Sequence, residues 1–146
     1  MYEPPFAELS RGIEVRPASV VNFERVVLLT LALGAANAVL TWDALVAGFA
    51  ARGLGPSFVV GAHVAGGALI LALLWMMSRR RSDVARWIYV ALTVAGILVT
   101  LFAITPNDSG APILLVIEVL QMLLSLISLW LLFRPDAQGW FAATDG

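Results

Sequence analysis

The chain has 146 residues, 60% of them hydrophobic and only 13% charged, with a net charge of −1. Soluble domains carry about 25% charged residues, and one domain of this length has no interior able to hide so much apolar surface, so the solvent it suits is a bilayer. There is no cysteine, which excludes disulfides, thiolate metal sites and cysteine nucleophiles, and the nine basic residues are all arginine and form no nucleic-acid-binding stripe.

Residues 1–19 are polar and contain Pro4, Pro5 and Pro17, the composition of a flexible tail. Four apolar runs follow. The first, uncharged from Val26 to Trp42 and again from Ala44 to Ala51, predicts a helix over about 22–48. Within it, Val26–Leu33 followed by Ala36-Asn37-Ala38 has the form of a signal-peptide core and cleavage site. The apolar run continues past that point, so an uncleaved anchor is expected. The second run, Gly53–Ser78, carries Pro56 where a first helical turn accepts it and predicts a helix over about 56–78. The third, Trp87–Asn107, is ended by Pro106 and predicts a helix over about 84–104. The fourth, Ser109–Phe133, is interrupted only by Glu118 and predicts a helix over about 111–133. Each has the roughly 20 residues that cross about 30 Å of hydrocarbon. Long continuous runs without alternation indicate helices rather than strands. Residues 135–146 form a C-terminal tail whose Trp140-Phe141 either dips into the interface or stays loosely ordered.

The fold expected is therefore an all-α membrane protein, an up-down-up-down bundle of four transmembrane helices spanning 20–134. Arginine placement orients it. Arg11, Arg16 and Arg25 precede the first span, Arg79, Arg80, Arg81 and Arg86 lie between the second and third, and Arg134 follows the fourth. Only Arg52 falls on the other side, so the positive-inside rule puts both termini in the cytoplasm. Trp75, Trp87, Tyr89 and Trp130 near the inner ends, and Trp42 near the outer end, suit the interfacial belts. The Arg79–Arg81 run could recruit anionic headgroups, although setting topology explains it as well.

Each predicted helix carries small or polar residues at spacings of three and four, which share a face. These are Thr30, Gly34, Asn37 and Thr41; then His63, Gly66 and Gly67, with a second small stripe of Gly61, Ala65, Ala68 and Ala72; then Tyr89, Thr93, Gly96 and Thr100; then Glu118, Gln121, Ser125 and Ser128. Lipid disfavours polar faces, so the stripes are expected to face one another, and packing is their simplest role. Three ionisable residues go further. At 1.5 Å per residue, His63 and Glu118 each fall roughly 10 Å below the outer surface. Asp43 lies slightly shallower and Asn37 and Gln121 deeper, so these five form a candidate polar, ligand or proton site in the outer half of the membrane. Low dielectric favours the neutral form of a carboxyl and a nearby imidazolium favours the charged form. A Glu–His pair could thus carry a proton or bind a cation, whereas a protonated glutamate could simply bond across helices. As the only histidine, His63 cannot alone make a bis-histidine haem site. Asp43 also suits an interfacial carboxylate, and Met76, Met77 and Met122 suit gap filling better than copper ligation.

Tyr2-Glu3-Pro4-Pro5, Arg16-Pro17-Ala18-Ser19-Val20, Ala85-Arg86-Trp87-Ile88-Tyr89 and Arg134-Pro135-Asp136 with Trp140-Phe141 resemble small four-helix bacterial inner-membrane proteins of uncharacterised function. The resemblance implies four spans and an inner-membrane home, and it carries no activity. Four-span drug exporters place a carboxylate within helix 1, where this chain has carboxylates only near the ends. No HExxH, P-loop or GxSxG pattern occurs, and no cofactor or metal is implied. The leading functional expectation is a non-catalytic membrane protein that binds lipid or a membrane-protein partner. The second is a proton- or cation-coupled transporter or channel, which needs a homo-oligomer for a wide pore. An intramembrane enzyme ranks last. An open cavity touching Glu118 favours the later readings, and a closed bundle with Glu118 bonded across helices favours the first.

Overall fold

The computed structural model describes residues 16–103 and 112–142, and within them the chain is helical and without strands. Its helices are α1 (Ala18–Leu40), α2 (Trp42–Ala50), α3 (Pro56–Arg80), α4 (Asp83–Ala103), α5 (Pro112–Leu132) and α6 (Pro135–Ala142). Four of them, α1, α3, α4 and α5, are long and apolar enough to cross a membrane. Large apolar side chains point outward along them, Val64 at 65% and Val99 at 68% exposure among them. Such surface is costly in water and natural in lipid, and the chain is a multi-pass membrane protein.

Two boundaries differ from the sequence expectation. The predicted 22–48 helix begins at Ala18 and breaks at Thr41 into α1 and α2. Thr41 leaves helical geometry at φ −105°, ψ 16°, although its N–H still donates to Asn37 O at 2.9 Å, an oxygen that also accepts from the Thr41 hydroxyl at 2.8 Å. Thus the apolar run is continuous in sequence but the backbone is not. Glycine at φ 77° (Gly53) then turns the chain into α3, and the Phe49 ring meets that of Phe58 at a tilt of 51°, 5.6 Å between centroids. The second difference is at the C-terminus, where residues 135–142 form a packed helix, with Ala137 and Phe141 buried. Of the expected tail at 1–19, residues 1–15 lie outside the described residues, as do 143–146, whereas Ala18 and Ser19 belong to α1 and Ser19 is buried.

α1 packs most closely on α5, so the first and last spans are neighbours, and α3 and α4 form a hairpin. The hairpin turn is two residues long. Arg81 takes the left-handed conformation (φ 53°), and the Ser82 hydroxyl accepts from the Ala85 N–H at 3.2 Å, capping α4.

Burial is uneven along the bundle. Val20, Phe23 and Val27 of α1, Leu73, Leu74 and Met77 of α3, Ala85 and Tyr89 of α4, Leu131 and Leu132 of α5, and Ala137 and Phe141 of α6 form one core. All lie toward the arginine-rich end. In the other half Val59 alone among the described residues is buried. Lipid supplies no hydrophobic force between spans, so close van der Waals packing must hold them, and that packing is concentrated at one end.

Arginine–aromatic contacts surround this end. Arg81 lies 4.0 Å from the Trp140 ring centroid, and Arg86 lies 5.0 Å from that of Phe141 while pairing with Asp83 at 2.7 Å. Arg16 pairs with Glu24 at 2.8 Å. The Asp136 carboxylate accepts from the Ser19 N–H at 3.3 Å, a donor in the first turn of α1 that Pro17 leaves without a side-chain cap. The buried Ser19 hydroxyl beside it is the largest influence holding the Asp136 carboxyl below its ordinary 3.8. Slight desolvation opposes it, and the Ser19 N–H and the Arg134 charge add to the lowering. In hydrogen-bond geometry the N–H is the bonded group and the hydroxyl is not. Because the folded state favours the charged form, the contribution is complete above the ordinary value and disappears as pH falls through the lower folded one. Asp136→Asn is therefore expected to melt a few degrees below wild type in detergent at pH 7. The gap should close in acid below pH 3.8, as read by circular dichroism.

Candidate functional site

Above the packed end, α4 stands away from the α1–α5 pair and leaves a half-enclosed cleft of about 350 Å³. Three of the four predicted stripes meet there. Thr30 and Asn37 come from α1, Tyr89, Thr93, Gly96 and Thr100 from α4, and Glu118, Gln121 and Ser125 from α5. Val27, Leu31, Ile70, Ile97 and Met122 complete the wall. The volume falls within the range of small-molecule pockets, and the mix of apolar wall and convergent polar groups is usual for them.

The floor is closed. Tyr89 O–H and Ser128 Oγ lie 2.8 Å apart, and Ser128 donates its own proton to Ser125 O at 2.7 Å, which makes Tyr89 the donor to Ser128. The Tyr89 ring meets Phe23 edge-on at 5.2 Å between centroids, with the buried core below. Although Tyr89 looked like an interfacial ring from its position, it is 6% exposed and turned into the bundle.

Several wall hydroxyls are occupied locally. Thr30 donates to Val26 O at 2.9 Å, Thr100 to Gly96 O at 3.0 Å and Ser125 to Gln121 O at 2.8 Å. These groups keep free lone pairs facing the cleft but have spent their protons. Asn37 Oδ1 is buried without a hydrogen bond, and Glu118 makes no ion pair or hydrogen bond among the described residues. The cleft therefore offers the Glu118 carboxyl as an acceptor beside the side-chain amides of Asn37 and Gln121, which both donate and accept.

Of the five residues singled out in sequence, the cleft gathers Glu118, Asn37 and Gln121. The other two are elsewhere. His63 is exposed on α3, its Nδ1 2.9 Å from Val59 O, and Asp43 is exposed in the first turn of α2. The whole small-residue face of α3 stays out of the cleft, with open space beside Gly61, Gly66 and Gly67. Tyr89 and Thr93 also line the site, although the sequence points to packing for both and to the interfacial belt for Tyr89. Their spacing to Gly96 and Thr100 was the available signal. Among the described residues no three His, Asp or Glu side chains gather as for a metal ion.

Gly34 of α1 faces the Gln121 side chain of α5. A Cβ there would come within 3.2 Å of Gln121 Nε2. Comparison with family models, with curated proteins and with solved structures returns no match, so the reading of the cleft rests on its chemistry.

Two substitutions separate packing from function. Gly34→Val is expected to push α1 from α5 and cost about 1–3 kcal/mol, read as a lower melting temperature. Asn37→Leu removes a buried acceptor that the protein leaves unpaired, so it is expected to raise stability by about 1 kcal/mol in the same assay. A lowered melting temperature for Asn37→Leu would mean that the acceptor is satisfied in the folded bundle.

Proposed function

We propose that the protein is a bacterial inner-membrane binding protein or carrier for a small cation or protonated amine, with Glu118 as counter-charge and Asn37 and Gln121 as ligating amides. One observation carries this reading: Glu118, which has no partner among the described residues, lines the same half-enclosed cleft as Gln121 and as Asn37, whose amide oxygen is buried and unpaired. A ligand that donates hydrogen bonds and carries positive charge satisfies both at once. A carboxylate inside a membrane segment costs at least about 2.5–3.5 kcal/mol on insertion scales, and a bound cation offsets that cost. His63 and Asp43 stand outside this scheme because neither lines the cleft.

The arginine-rich end would lie in the cytoplasm by the positive-inside rule, with both termini there. The cleft then opens toward the outer half and is closed inwardly by Tyr89, Ser128 and Phe23, as in one state of an alternating-access carrier. Inward release would need that floor to part, or a second copy to complete the path. Partner or lipid binding without transport is the simpler alternative, and it predicts no ligand dependence at Glu118.

Carbodiimide labelling tests the proposal. A hydrophobic carbodiimide should modify a single carboxyl in the spans, mapped by mass spectrometry to Glu118 and absent in Glu118→Gln. Sodium or methylammonium should slow the labelling severalfold, and Asn37→Leu should abolish that protection. Labelling unaffected by any cation would leave Glu118 a structural group and remove the carrier reading.

A further inference from the structure

The arginines at the packed end fall into two groups. Arg16, Arg86 and Arg134 each have a carboxylate within ion-pair distance, and Arg81 is drawn inward over Trp140. Arg25 of α1 and Arg79 and Arg80, the last residues of α3, are exposed and meet no carboxylate among the described residues. Arg80 instead lies 4.8 Å from the ring centroid of Trp75, itself half exposed. The same face continues upward through exposed Leu71, Ala72 and Met76, while Leu73, Leu74, Met77 and Ser78 turn into the bundle. One strip of α3 therefore runs from an apolar surface, past an indole, to two unmatched guanidinium groups where the span leaves the hydrocarbon.

We infer that this strip binds an anionic phospholipid, with its phosphate on Arg79 and Arg80, its glycerol region against Trp75 and its acyl chains along Leu71 and Met76. Guanidinium groups suit phosphate because their planar fork gives paired, charge-assisted hydrogen bonds. An indole prefers the level of the headgroups, which fixes the depth of the site. Setting topology requires positive charge on one side only. It does not require that Arg81 be packed into the protein while its two neighbours stay outward beside a tryptophan. The site is separate from the cleft, which takes only Ile70 from α3.

The test is native mass spectrometry of the full chain released from mixed micelles with phosphatidylglycerol and phosphatidylcholine of matched chains. Wild type should retain phosphatidylglycerol preferentially. Each arginine near an anionic surface is worth about five-fold, so Arg79→Gln/Arg80→Gln should lower that preference roughly thirty-fold. Arg81→Gln should lose thermal stability through Trp140 and keep the lipid preference. Trp75→Leu retains all the charges and should weaken retention by a smaller factor, and it decides the matter if the double variant does not fold. Unchanged preference in the double variant, or in Trp75→Leu if only that variant folds, overturns the inference. Full displacement of the lipid by inorganic phosphate also overturns it, because the site would then be a plain anion site.

Discussion

The edge-on contact between Phe23 and Tyr89, 5.2 Å between centroids, lies where α1, α4 and α5 converge. Around it the spans make their closest packing, and Tyr89 reaches past it to Ser128. Lipid tails are as apolar as leucine, so spans in a bilayer gain little by hiding side chains from their surroundings. They are held by shape and by the few polar bonds that cross between them. Here both are gathered at the arginine-rich end. This frees the opposite half to stand apart and hold a polar cleft without dissolving the bundle.

The arginine end is also where the protein meets water, and its fastening follows from that position. Arg81 on Trp140, Arg86 among Trp87, Phe133 and Phe141, and Asp136 at the start of α1 tie five helices together with groups that keep their charge at an interface. Arg86 spans both regimes. Its side chain is 12% exposed, its terminal nitrogen pairs with Asp83, and its Nε is buried without a bond. Cation–π contact with the surrounding rings is of the strength that offsets such partial desolvation.

Most of this fold was legible in the sequence because a bilayer imposes a simple code. Length and continuity of the apolar runs predicted four spans, and the structure has four helices long and apolar enough to be them; the expected ends at 104 and 111 lie outside the described residues. The break at Thr41 was hidden because it falls inside an apolar run with no glycine or proline between Ala35 and Ala47 to mark it. The helix at 135–142 was hidden too, since its eight residues gain stability from Arg81, Arg86 and Ser19, far away in sequence. The site was half legible. Spacing showed which residues share a face, and three stripes do meet. It could not show which way each face turns, so depth alone groups His63 and Asp43 with a cleft that neither of them lines. Depth is a one-dimensional coordinate, and a site requires azimuth as well.

The pairing of α1 with α5 has a consequence for how the protein is made. Spans leave the ribosome in order, so α1 enters the membrane long before its main neighbour exists. During that interval Thr30, Asn37 and the notch at Gly34 have no α5 to meet. The α3–α4 hairpin, with its two-residue turn, can close as soon as it is made. Completion waits for α5 and for the final helix, whose Asp136 reaches back 117 residues to Ser19. A chain stopped short of this last segment holds all four spans but leaves the first turn of α1 without the carboxylate that caps it.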